Sequence, residues 1–383
     1  MKFVYASAVA ITLAGCGGGA SVPPSIGSPA VIHRSVSHGV GLGKVLTSQG
    51  GQIFGFDIDN DGNDGALATA SNVETFDQDS GAIEKVFPKA PPSGTTYGFN
   101  AIVKGDVGLV TRYVEPKGSI FSQRFYNLMN PVKGKFTGKW TPPVKDIQVE
   151  AVGPNQTTGT AAIFAIELKA SDLPILFESS VSKNKFGKVF TLDSSSFSLG
   201  DTPQIGQDTA TNEAVIATSP DAGAVGGVAP INVVVDLKTG KKKQWNGFNN
   251  GYFHAGYVNG IAVDSKTGIF ATDTELNAQV EFYNIANQSG SFVQLPCTGD
   301  TSQTNSGSGI ANDAVNGLFL VTETYYACGT GSAIVVYDES GNLVEAITGF
   351  KFAIGEGAPA INPSKRMGWT FGPSFSQLQQ FYY

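Results

Sequence analysis

The chain has 383 residues, of which 41% are hydrophobic and only 15% charged, and its formal net charge is −7. Lys and Arg number 25 against 32 Asp and Glu, which sets aside nucleic acid as a partner, because the phosphate backbone demands a surplus of cations. Three histidines are too few for a multi-histidine metal centre.

At the N-terminus, Lys2 precedes an apolar run from Phe3 to Leu13, which is followed by Ala14-Gly15-Cys16. The run is too short to span a bilayer as a finished helix. Leu13-Ala14-Gly15-Cys16 resembles the bacterial lipobox, where a peptidase cuts before a cysteine that bears a diacylglyceryl group. The resemblance implies a signal peptide over 1–15 and Cys16 as the lipidated first residue of the mature chain, carrying palmitate-like acyl groups. At about 0.8 kcal/mol per buried methylene, several chains anchor stably where one does not. It also implies export and a membrane partner through the lipid. Gly17, rather than Asp, follows the cysteine, a pattern similar to outer-membrane sorting in Gram-negative lipoproteins. An ordinary secretory signal with an incidental cysteine is the alternative. Residues 17–30 are almost wholly Gly, Ser, Pro and Ala. Such a stretch cannot bury enough apolar surface to offset its ordering, so residues 16–34 read as lipidated cysteine and flexible tether.

Residues 35–383 read as one all-β domain. Apolar residues at helical spacing are almost absent, while short apolar or alternating runs are separated by turn residues, and glycines number 48. Gln52 to Phe87 holds one four-strand unit, with strands over Ala66–Ala70, Val73–Phe76 and Ala82–Phe87. Tyr97–Trp140, Ile147–Leu192 and Pro203–Trp245 hold three more. Self-similarity is clearest near the C-terminus, where the string from Gly260 to Phe270 aligns with that from Gly309 to Phe319 at an offset of 49 residues. Four short strands in a period near fifty predict a propeller blade. The last unit begins near Glu356 and stops one strand short. A strand within Ser35–Thr47 would complete it and remove an open sheet edge. The expectation is a seven-bladed β-propeller closed by an N-terminal strand. Ile269-Phe270-Ala271-Thr272-Asp273, with Val280 to Asn284 and a Gly turn, resembles YVTN and NHL propeller repeats. Asn259-Gly260-Ile261-Ala262 is similar to the strand opening of lactonase-like propellers. Lys241-Lys242-Lys243 reads as a solvated hairpin turn.

Cys297 follows the fourth strand of one predicted blade, and Cys328 lies between strands two and three of the next. Both positions fall on one propeller face, so a disulfide is expected in an exported protein. Two buried free thiols are the alternative.

Among candidate sites, Asp57-Ile58-Asp59-Asn60-Asp61-Gly62-Asn63-Asp64 offers alternating carboxylates before a Gly turn. Asp57, Asp59, Asp61 and Asp64 are therefore candidate Ca²⁺ ligands. The string resembles the Asp-rich loops of FG-GAP blades, but Gly65 stands where a closing Asp belongs, and there is no Glu at the twelfth position. An Asx-rich hairpin turn without an ion is the alternative. The lactonase resemblance also implies a channel calcium held by Asn100, Asp208, Asn259 and Glu356, placed near the openings of innermost strands. His254, in a polar aromatic segment, is a candidate base or ligand contact together with Tyr325 and Tyr326. No nucleophile elbow, phosphate loop or dinucleotide fingerprint occurs. The leading expectation is a membrane-anchored, non-catalytic propeller that binds an envelope protein or a glycan. The alternative is a calcium-assisted lactonase or esterase.

Overall fold

The computed structural model describes residues 39–383 apart from 90–92, 105, 116–122, 156–157, 169–172, 194–196, 198–202, 219–229, 249–257, 275–278, 295–305, 325–331 and 352–356. Cys16, Cys297, Cys328, His254, Tyr325, Tyr326 and Glu356 lie outside the described residues.

The described chain is almost entirely β and forms seven sheets. Blade 1 is β2 (Ile53–Ile58), β3 (Asp64–Thr69), β4 (Val73–Asp77) and β5 (Ile83–Phe87). Blade 2 is β6 (Thr95–Val103), β7 (Val107–Val114), β8 (Gln123–Asn130) and β9 (Lys135–Lys139). Blade 3 is β10 (Ile147–Asn155), β11 (Thr160–Glu167), β12 (Leu173–Ser180) and a split fourth strand, β13 (Lys185–Phe186) with β14 (Phe190–Thr191). Blade 4 is β15 (Gln204–Asp208), β16 (Glu213–Thr218), β17 (Ile231–Asp236) and β18 (Lys242–Asn246). Blade 5 is β19 (Val258–Asp264), β20 (Ile269–Thr274), β21 (Gln279–Asn284) and β22 (Gly290–Gln294). Blade 6 is β23 (Ser306–Asp313), β24 (Leu318–Thr324), β25 (Ser332–Asp338) and β26 (Leu343–Phe350). Blade 7 is β27 (Ala360–Asn362), β28 (Met367–Phe371) and β29 (Gln377–Tyr382), with β1 (Gly41–Thr47) as its outer strand.

The innermost strands neighbour one another around the ring, which makes the molecule a seven-bladed β-propeller. The expected closure is present, since β1 pairs antiparallel with β29 and seats Leu46, 1% exposed, against Trp369 and Phe76. Within each blade, burial follows strand position. The middle strands pack against sheets on both sides and are apolar on both faces, as in Ala66-Leu67-Ala68 and Phe319-Leu320-Val321. Outer strands such as β5 keep one exposed face. The core is therefore a series of inter-blade layers. In one of them Trp140 lies against Tyr126, Phe177 and Phe186, with its Nε1 donating to Ser179 Oγ at 3.0 Å.

Two local features set the ring's tightness. Adjacent innermost strands approach so closely that some positions admit no side chain. A Cβ on Gly309 (φ +144°) would lie 2.2 Å from Ala358 N, and one on Gly55 (φ +148°) would lie 2.7 Å from Phe99 O. The innermost strands also bulge in a common place, at Phe54, Asn100, Glu150 and Asn259. A bulge leaves one residue out of the ladder and re-aims its side chain. Blade 3 departs from the regular expectation at its edge. A 3₁₀ turn, Val181–Lys183, ends in Asn184 at φ +49°, and Gly187 N bonds Glu178 O between the two short strands. Of the lysine run, Lys241 lies in the β17–β18 turn, Lys242 opens β18, and Lys243 pairs with Glu213 at 3.4 Å.

Candidate functional site

Each innermost strand runs from one end of the propeller to the other, so the connections sort into two sets. At the turn end are the links from first to second and from third to fourth strands, such as 59–63, 209–212, 265–268 and 314–317. At the loop end are the links between blades and from second to third strands, such as 70–72, 140–146 and 372–376.

The turn end is organised by Asp and Asn side chains that accept from the backbone two or three residues on. Asp208 Oδ1 accepts from Ala210 N, Asp264 Oδ1 from Lys266 N, and Asp313 Oδ1 from Val315 and Asn316 N. Asp77, Asp236, Asn284 and Asp338 do the same in the other turns. These are Asx turns, in which the side chain satisfies N–H groups that the hairpin leaves unpaired.

The Asp-rich hairpin between β2 and β3 belongs to this end. Asp57 is directed inward, accepting Ile102 N of blade 2 at 2.7 Å through Oδ2 and Ile58 N at 2.9 Å through Oδ1. Burial pushes its carboxyl up to about 7 despite those donors. Asp59 accepts Asp61 N at 3.3 Å, and burial followed by the nearby Asp61 and Asp106 carboxyls pushes it up to about 6. Asp64 is also raised, by burial first and then by Glu84, Asp106 and Asp77. Backbone carbonyls that a cation would need are already engaged. Gln78 Nε2 donates to Asp59 O at 2.8 Å and Asp64 O at 2.9 Å, and Asn362 Nδ2 donates to Gly62 O at 3.0 Å. Lys365 Nζ reaches Asn63 Oδ1 and Asp79 Oδ1. Blades 7 and 1 are thus stapled through this hairpin. Among the described residues, no three His, Cys, Asp or Glu are placed to hold one metal ion.

The described channel candidates, Asn100, Asp208 and Asn259, do not form one constellation. Asn100 and Asn259 both occupy bulges of innermost strands, and Asn100 Nδ2 donates to Thr111 Oγ1 at 2.9 Å. Asp208 does not open its strand. It closes β15 at the turn end, where it also accepts from Thr211 Oγ1 at 2.7 Å, so a strand's length separates it from Asn259. The short β15 explains the difference, since it spans only five residues, all paired without a bulge.

Sequence reasoning missed the buried carboxylates of the loop end. Glu74 accepts Gln49 N at 3.0 Å and Gly50 N at 2.6 Å, fixing the segment that enters blade 1. Asp273 Oδ2 accepts Gly309 N at 2.8 Å, and its Oδ1 is buried with no hydrogen-bond partner. Glu281 accepts from Tyr283 OH and from Gln279 Nε2, while Phe248 N donates to Tyr283 OH at 3.2 Å. Burial pushes Asp273 and Glu281 each up to about 7. All three carboxylates join blades or fix the roots of inter-blade segments. Their sequence signal is an acid inside an apolar strand, as in Val73-Glu74-Thr75-Phe76 and Val280-Glu281-Phe282.

No family model and no curated protein sequence matches the chain. Solved structures do. The structure of U3-55K superposes at TM-score 0.60 with 11% identity, over 89% of this chain and 98% of that one. The WD40 repeats of RRP9 superpose at 0.59 with 11% identity, over 88% and 96%. Raptor from Chaetomium thermophilum superposes at 0.59 with 11% identity, over 88% of this chain and 28% of its own length. At such identity the likeness is one of fold, the β-propeller.

Proposed function

We propose that this propeller is a non-catalytic binding scaffold whose loop end receives a protein or glycan partner, tethered to a membrane through lipidated Cys16. The observation that carries the reading is the division of labour between the two ends. The turn end is spent on Asx turns that close hairpins, while the loop end combines rigid roots with the long connections. A rigid frame carrying variable connections lowers the ordering cost of binding. The WD40-repeat neighbour fits such a role, and the sequence between β18 and β19 contains Tyr252, Phe253, His254 and Tyr257, which lie outside the described residues. The lipobox-like segment supports the tether.

Site-specific photo-crosslinking in cells tests the reading. A photoreactive residue at Leu168 or Phe375, on the loop end, is expected to capture a partner, while one at Val315 or Val132, on the turn end, is expected to capture none. Equal capture from both ends, or capture from the turn end alone, counts against the reading.

A further inference from the structure

Two of the chain's four arginines, Arg112 and Arg124, sit at the loop end of blade 2 on neighbouring strands. Arg112 pairs in register with Phe125, and Tyr113 pairs with Arg124. Opposed residues share a sheet face and successive residues alternate, so the two arginines occupy opposite faces of the blade's rim. Each guanidinium lies over the ring opposite it. Arg112 Cζ is 4.8 Å from the Phe125 centroid, and Arg124 Cζ is 5.8 Å from that of Tyr113. On the Arg112 face, Tyr97 stacks on Phe136, which packs edge-on against Phe87 of blade 1. The guanidinium therefore sits beside an aromatic row. Arg124 donates to Gln148 Oε1 of blade 3 and faces Glu150, whereas Arg112 has no hydrogen bond or ion pair with a described residue. The Nε of both is buried without a partner. Phe125 is 38% exposed.

We propose that this arginine–aromatic rim of blade 2 recognises a carboxylate-bearing, apolar-flanked peptide segment of the partner protein, a proposal that rests on the binding-scaffold reading above. A stacked guanidinium is held flat, with its edge donors free to grip a carboxylate bidentately. Arg112 is the principal anchor because no described residue forms an ion pair or hydrogen bond with it. The exposed Phe125 supplies apolar contact beside it. The net charge of −7 selects against extended polyanions such as nucleic acid or an anionic bilayer, which feel the whole molecule. A short acidic peptide feels chiefly charges within a Debye length of about 8–10 Å.

The test uses the full chain in detergent and two pools of fluorescein-labelled ten-residue peptides. One pool alternates Glu or Asp with apolar residues, and the other carries Gln or Asn at the same positions. Fluorescence anisotropy is expected to show saturable binding of the acidic pool, at least tenfold weaker binding of the amide pool, and weakening as salt rises. Arg112→Gln is expected to cost tenfold or more, Arg124→Gln less, and Arg112→Lys is not expected to restore binding. Lys241→Gln, at the turn end, should change nothing. Equal affinity for the two pools, indifference to salt, unchanged binding by Arg112→Gln, or no saturable binding overturns the proposal. The pool and salt comparisons use unaltered protein, so they decide the matter even if a variant misfolds. Cross-links from Leu168 or Phe375 that survive in an Arg112→Gln, Arg124→Gln variant would sink this site while leaving the scaffold reading in place.

Discussion

Replacing Asp273 by Asn should flatten the dependence of stability on pH. The carboxyl is fully buried, accepts one N–H from Gly309, and leaves Oδ1 without a partner. Its pKa is raised from 3.8 to about 7 by burial. The folded state therefore holds the proton more tightly than the unfolded chain. The resulting stability is complete below pH 4 and is lost as pH rises towards 7, after which the cost of the buried charge is constant. A shift of about 3 units at roughly 1.36 kcal/mol each gives a cost on the order of 4 kcal/mol above pH 7, more than half of it falling between pH 5 and 8. Asn keeps an oxygen for Gly309 N but does not titrate. Its amide would occupy the unpartnered Oδ1 position, at a cost of about 1–3 kcal/mol. Urea unfolding at pH 5 and pH 8 should show Asp273→Asn at least as stable as the parent at pH 8, less stable at pH 5, and with a smaller loss between the two. Identical pH dependence in both proteins, or a variant clearly weaker at pH 8, would refute the argument.

Other expectations follow from the ring. Gly309→Ala should cost about 3 kcal/mol or more, or prevent folding, since its Cβ meets backbone at 2.2 Å; chemical denaturation reads this directly. Leu46→Ala in the closing strand should cost about 2–5 kcal/mol, and a value under 1 would mean that β1 contributes little to closure. One millimolar Ca²⁺ should move the melting temperature by about 1 °C or less, because the hairpin's carbonyls are held by Gln78 and Asn362; a rise of several degrees, reversed by chelator and lost in Asp59→Asn, would restore the Asp-rich hairpin as a calcium site. Cys16→Ser should release the protein from the membrane fraction, and full retention would remove the lipid anchor from the account.

Strand count and blade order were legible because a four-strand period near fifty is a local signal, repeated in Gly260–Phe270 and Gly309–Phe319. The closing strand was legible for a related reason: a last unit one strand short needs an edge, and the free apolar segment lay at the N-terminus. The split edge of blade 3 was hidden, because a fourth strand that pairs only at Lys185–Phe186 and Phe190–Thr191 carries no compositional mark separating it from the continuous fourth strands of the other blades. Asp208 was misplaced because strand ends shift by a few residues with no change in composition.

By itself, then, the amino-acid order determined the blades, their closure and the hairpin turns, since each depends on neighbours in the chain or on a repeat of fixed length. The tertiary structure decided which carboxylates are buried and what they hold. Asp57 meets Ile102, and Asp273 meets Gly309, only after blades have packed against one another. Desolvation and hydrogen bonding act over a few ångströms in space, and those distances exist only once the ring is closed.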